Sequence, residues 1–224
     1  MTEVRSQTIK LPGVELLADL RLPGNCRALV IFAHGSGSGR LSARNQFVAD
    51  ILAARGLGSL LFDLLTQKEQ RLDNETGELR FDIPLLAKRL VDVVDWVQRD
   101  KQLQPLRVGL FGASTGAAAA LLAAAQRPDV VAAVVSRGGR TDLAWSVLQR
   151  VKAPTLHIVG SEDVQVLELN RLAGRMLQCE HRLEVVPGAT HLFEEPGTLG
   201  KAAALAADWF VAHLQASGSH TPNG

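Results

Sequence analysis

What this sequence lacks narrows its function before any motif is read. No sign of charge prevails among its 224 residues: 24 Lys and Arg stand against 23 Asp and Glu, a net of +1. Nothing in that balance draws the chain to nucleic acid or to an anionic membrane. The interleaving of basic and aromatic residues that stacks single-stranded bases is missing as well. Cysteine is scarce. Cys26 and Cys179 are the only two; they lie in no CxxC motif and are too few for a disulfide framework, so a reducing, cytoplasmic setting is expected. No apolar run approaches the roughly 18 residues of a membrane span, and the opening MTEVRSQTIK lacks the apolar core of a signal peptide. HExxH, an EF-hand loop and clustered His and Cys ligands are absent. So is GxxxxGK[ST], and the GSGSG of residues 35–39 lacks the GxGxxG spacing. The expectations are no metal, no cofactor, no nucleic acid and no membrane partner, with a small molecule as substrate and a monomer or homodimer as the working unit.

What is present is a regular alternation of elements. Hydrophobic residues make up 46% of the chain, enough for a sizeable core, and the length suits one α/β domain. That domain is expected over residues 1–216, with a disordered tail at 217–224. Residues 8–11 and 14–20 read as a hairpin around Pro12 and Gly13. The apolar run ALVIFA at 28–33 reads as a strand covered on both faces, followed by a helix over 42–55 and a strand over 60–62. Residues 64–80 read as a long polar connection, either functional or simply solvated. Asp82 looks like the N-cap of a helix reaching to about residue 101, with Pro84 in its first turn. Further strands are expected at 108–111, 130–135, 154–159 and 182–186. Between and after them come helices at 115–126, a short one capped by Asp142, one ending near 178, and a closing one at 199–214. This pattern predicts an open, mostly parallel sheet with helices on both faces, whose ligands bind outside the C-terminal ends of the strands.

The chain turns on the stretch LRVGLFGASTG, residues 106–116. A strand breaks into Gly112, Ala113, Ser114, Thr115 and Gly116, and an alanine-rich helix begins. In a nucleophile elbow the serine sits at a strained position with φ > 0 and projects its Oγ above the sheet, and glycines two residues either side remove collisions across the turn. The alternative is an ordinary glycine-rich turn. Serine needs a base within hydrogen-bond reach and a third group to orient that base. Ser114, Asp163 and His191 occur in the order expected after GxSxG, with Asp163 and His191 at the ends of two later strands. The backbone N–H of Thr115 and one from Gly35 or Ser36 are placed to meet a developing oxyanion, although residues 35–40 also read as a flexible turn. Glu162, Glu194 and Glu195 are competing acids. His34 is a competing base that suits shaping the glycine loop, His157 reads as a core or edge residue, and His181, His213 and His220 as surface positions. Arg137 and Arg140 suit either a substrate carboxylate or structural ion pairs, and Phe193 stands near the site as a further candidate for substrate contact.

On residues 34–39, 112–116, 160–163 with Val166, and 188–191, the chain resembles the α/β-hydrolase superfamily and, within it, dienelactone-hydrolase-like proteins. The resemblance covers roughly residues 8–215. It implies a three-layer sandwich with a mainly parallel sheet of about eight strands and no cap domain. It also implies Ser114 as nucleophile, Asp163 as acid, His191 as base, an oxyanion hole from Thr115 and a residue after His34, no cofactor, and ester or lactone substrates. One departure is chemical: typical dienelactone hydrolases carry cysteine as nucleophile where this chain has Ser114, which favours a general serine esterase. The alternatives are a thioesterase or peptidase using the same three residues, or a non-catalytic binding protein on a hydrolase fold.

Overall fold

A computed structural model of the chain describes residues 3–215; the tail expected at 217–224 and His220 lie outside the described residues. Eight strands form one sheet. In chain order they are β1 (Val4–Leu11), β2 (Val14–Arg21), β3 (Ala28–Ala33), β4 (Gly58–Phe62), β5 (Arg107–Ala113), β6 (Val131–Arg137), β7 (Thr155–Gly160) and β8 (His181–Val186). Their spatial order is β1-β2-β4-β3-β5-β6-β7-β8. β2 pairs antiparallel with both of its neighbours, and every pair from β4 to β8 is parallel. The helices are α1 (Ala43–Ala54), α2 (Gln67–Thr76), α3 (Ile83–Arg99), α4 (Thr115–Gln126), α5 (Val164–Met176) and α6 (Thr198–Phe210).

The apolar runs divide by alternation into two cores, as a strand's period of two requires. Leu29, Ile31 and Ala33 of β3 face one side with α3 and α4. Ala28, Val30 and Phe32 face the other with α1 and α6. Helix α4 is sunk into the first core with Ala117 to Ala120 wholly buried. Alanine gives it high helix propensity and lets its neighbours approach closely. In β5, Gly109 leaves room for a ring of α6: a Cβ there would stand 2.7 Å from Phe210 Cε1.

The chain leaves β3 toward β4 on one side and returns to β5 on the other. The loops after β3 and β5 therefore flank the crevice where strand order reverses, the usual ligand position in open α/β sheets.

Two expectations are corrected. Residues 64–80 are not an irregular connection, because they contain α2. Thr66 and Glu69 form a capping box and Gly77 closes the helix at φ 70°. Only Asp73 of the helix is buried, so ion pairs rather than an apolar stripe anchor it: Glu69 with Arg89 and Asp73 with Arg80, at 2.6 and 2.7 Å. Asp142 does not cap a helix. Residues Thr141–Arg150 are 3-10 helical and their N-cap makes no side-chain bond, because Asp142 is engaged by both Nε and Nη2 of Arg140. Asp82 does cap α3, accepting from Leu85 N at 3.0 Å.

Candidate active site

Ser114 sits between β5 and α4 with φ 52° and ψ −118°, a conformation that costs about 1–3 kcal/mol for a residue with a side chain. Its neighbours hold it there. Ser114 N donates to Arg137 O, and Ser114 O accepts from the N–H groups of Ala117 and Arg140, each at 3.1 Å. The flanking glycines are required by contact. A Cβ on Gly112 would lie 2.4 Å from Ala117 Cα, and one on Gly116 would lie 2.1 Å from Ala33 O. Gly112 thus lets the helix start fold back over its own strand, and Gly116 lets that helix seat against the end of β3.

Ser114 Oγ lies 3.1 Å from His191 Nε2, and His191 Nδ1 lies 2.5 Å from Asp163 Oδ2. A carboxylate only accepts, so Nδ1–H donates to Asp163 and Nε2 is left to accept from the serine hydroxyl. Asp163 follows β7 and His191 follows β8. The two loops are locked together at Gly160, where a Cβ would stand 2.1 Å from Ala189 O. At Gly138, with φ 55°, a Cβ would stand 3.4 Å from the His191 imidazole, so the loop after β6 runs beside the ring. Of the competing acids, Glu162 accepts from Ser161 Oγ and Glu195 from Thr190, so both brace loops.

His34 is buried and shapes the glycine loop, as its position suggests. Nδ1–H donates to Gly35 O at 2.9 Å, and Nε2 accepts from Leu64 N–H at 3.0 Å. Burial lowers its pKa below the usual histidine value, so the ring is neutral in this role. Gly35 passes so near the elbow that a Cβ there would stand 3.2 Å from Ser114 Cβ. On the far side of the loop, Arg80 approaches Gly37. The segment carrying α2 therefore supports this loop from behind.

Gly35, Ser36, Ser114 and His191 line a cavity of about 130 Å³, together with Arg44, Asn45, Arg137 and Leu192. A larger open groove of about 870 Å³ shares Ser38 and Ser42 with it and runs between the β1–β2 hairpin and α2. The small cavity is the one that holds both Ser114 and His191. Arg137 faces it. Arg140 is drawn off by Asp142, and Phe193 is buried with its ring 5.8 Å from the Arg137 guanidinium. Sequence reasoning missed Arg44, Asn45 and Leu192. No motif marks Arg44 or Asn45, and only the fold carries the start of α1 to the elbow, whereas the position of Leu192 directly after His191 was the signal that could have found it. Burial raises the thiol pKa of both Cys26 and Cys179, the reverse of what a thiolate nucleophile needs. His157 is a core residue within β7. His181 is exposed, and His213 packs on Trp209 with ring centroids 4.3 Å apart.

The model of the dienelactone hydrolase family matches residues 23–216. The chain belongs to that family. A dienelactone hydrolase from Anabaena variabilis has a crystal structure that superposes with a TM-score of 0.94 at 51% identity, covering 95% of this chain and 99% of that one. A cold-adapted esterase from an Arctic intertidal metagenomic library shares the fold, with a TM-score of 0.73 at 17% identity over 94% of each chain. A putative phosphoribosyl transferase of Mycobacterium tuberculosis is 54% identical over 201 residues, or 90% of this chain. The chain spans 44% of the length of that curated relative. Family and fold agree on an eight-stranded, mostly parallel α/β-hydrolase sheet. Among the described residues no helix is long and apolar enough to cross a membrane.

Proposed function

We propose that the chain is a cofactor-free serine hydrolase of small carboxylic esters or lactones. One observation carries the reading: three side chains from three separate strand ends form an unbroken hydrogen-bonded relay, with its serine on a positive-φ elbow. Ser114 Oγ attacks the acyl carbon and its proton passes to His191 Nε2. Asp163 holds the ring orientation and stabilises the imidazolium. The tetrahedral oxyanion accepts from Thr115 N–H, a first-turn donor with no partner inside its helix, and from an N–H of the Gly35–Ser36 segment. The intermediate collapses as His191 returns the proton to the leaving alkoxide. Water then attacks the acyl-enzyme, gives its proton to His191, and the acid is released as Ser114 recovers its hydrogen.

The cavity size supports a small acyl group, and the serine supports esters over the chemistry of a cysteine nucleophile. The name phosphoribosyl transferase belongs to whole proteins of which this chain spans 44%, and this reading concerns only the part that aligns. Measuring kcat/KM for short esters, lactones, thioesters and a peptide amide tests the assignment. The expected order puts an ester or lactone first, with Ser114→Ala losing about 10⁴-fold or more. A preference of about 100-fold for thioesters overturns the ester assignment, and unchanged turnover in Ser114→Ala overturns the serine.

A further inference from the structure

A further groove, of about 530 Å³, lies apart from the catalytic cavity and shares no lining residue with it. It runs between α5 and β8, the strand at the open edge of the sheet. Asn170, Arg171, Gly174 and Arg175 line it from the helix, and His157 and His181 from β7 and β8. The register explains how the two histidines come to share it. Thr155 pairs with His181 in the parallel β7–β8 ladder, and alternation along β7 puts His157 on the same face as Thr155. Gly174 leaves the space over the His181 ring open, since a Cβ there would already stand 3.4 Å from its Cδ2. Arg182 also borders the groove, but its guanidinium lies over the Trp209 ring and pairs with Glu184.

The mouth of the groove is cationic, and no carboxylate is among its lining residues. Arg175 is exposed and has no partner among the described residues. Arg171 meets only Glu168 of its own helix, at 3.4 Å with both side chains exposed, a contact worth little. The floor is polar and unsatisfied. His157 is 1% exposed, and neither of its ring nitrogens has a hydrogen-bond partner. Asn170 is wholly buried. Its Nδ2 donates to Gly139 O and Val166 O at 2.9 and 2.8 Å, and the atom left over, the acceptor Oδ1, has no partner. Buried polar atoms are nearly always bonded, so three bare ones at the base of one groove call for a ligand with polar groups of its own. A hydroxyl both donates and accepts, and answers Asn170 Oδ1 and an imidazole nitrogen together. Cationic groups contributed by two separate elements suit the several oxygens of a phosphate better than the two of a carboxylate. We infer that this groove binds a small phosphorylated hydroxy compound, with its phosphate held by Arg171, Arg175 and His181 and a hydroxyl reaching His157 and Asn170. The volume is in the range of small-molecule sites.

The groove stands independent of the chemistry at Ser114, so its test needs no turnover. The protein is titrated calorimetrically at constant ionic strength with glycerol 3-phosphate, glucose 6-phosphate, glycerol, inorganic phosphate, citrate and an oligoglutamate peptide. One of the two phosphorylated compounds should bind about 10-fold or more tightly than inorganic phosphate or citrate, with glycerol weaker still. Arg175→Ala should weaken it about 10-fold, and His157→Leu should erase its advantage over inorganic phosphate. Arg175 is exposed and unpartnered, so its variant keeps the test decisive where His157→Leu fails to fold. Arg44→Gln, in the catalytic cavity, should leave the affinity unchanged. In ¹H–¹³C spectra the ligand should move the His157 and His181 ring signals and spare those of His191. No saturable binding of either phosphorylated compound overturns the site, as does binding lost in Arg44→Gln and kept in Arg175→Ala. Citrate binding first overturns the phosphate, and parity with inorganic phosphate overturns the hydroxyl contact. Binding of the acidic peptide alone overturns the small-molecule site in favour of protein docking at the β8 edge.

Discussion

Gly116, in the first turn of α4, abuts the carbonyl of Ala33 at the end of β3 so closely that a Cβ would stand 2.1 Å from its oxygen. This contact joins the elbow to the strand that leads into the 35–36 loop, and both halves of the proposed oxyanion site depend on it. Backbone atoms on each side leave a side chain nowhere to go. Gly116→Ala should therefore destabilise the fold by about 2 kcal/mol or more and lower kcat by separating the two loops. Gly200, in α6, has nothing within 4 Å of its would-be Cβ, and Gly200→Ala should raise stability by up to about 1 kcal/mol. Urea denaturation of both variants checks the contrast. Equal effects would contradict the contact.

Asp163→Asn keeps the shape of the site while changing the hydrogen bond that orients His191. A drop in kcat of about 10⁴-fold is expected, with little change in thermal midpoint. A loss below about 10-fold would remove Asp163 from its proposed role.

His34→Ala should act differently. It leaves the buried Leu64 N–H without its acceptor, at about 1–3 kcal/mol, and frees the Gly35 carbonyl. Activity should fall mainly in kcat, because the loop is expected to meet the transition state rather than bind the ground state. A change confined to KM would contradict this.

His157 makes the fold sensitive to acid. Burial is the main reason its pKa is lowered to about 4, the nearby Asn170 opposing and His181 reinforcing the shift. Neither ring nitrogen has a partner within hydrogen-bond geometry. The unfolded chain binds a proton near pH 6.5 and the folded one only near 4. Below 6.5 the unfolded state therefore holds more protons, and stability falls as pH drops through that window, on the order of 1 kcal/mol per unit. The contribution is complete above 6.5. Buried His34 adds to the slope in the same direction. Denaturation of wild type and His157→Leu from pH 4.5 to 7 should show a shallower acid slope in the variant. Parallel curves would contradict the assignment.

Much of the fold was legible because its signals are local. The run ALVIFA, the break at Gly112–Gly116 and the strand ends carrying Asp163 and His191 each announce themselves within a few residues. Helix α2 escaped because its apolar periodicity is nearly nil, although the capping pair Thr66 and Glu69 stood in plain view. The pairing of Arg140 with Asp142 was readable at two residues' distance. The setting of Arg137 was not, because Phe111 and Phe193 meet around it only after β5 and the loop beyond β8 converge.

The central claim is that Ser114 is a nucleophile activated by His191. Intact-mass analysis after fluorophosphonate treatment, with peptide mapping, tests it most directly. The account predicts a single adduct on Ser114, absent in Ser114→Ala and strongly slowed in His191→Ala. A well-folded protein that forms no adduct, or forms it on another residue, would contradict it.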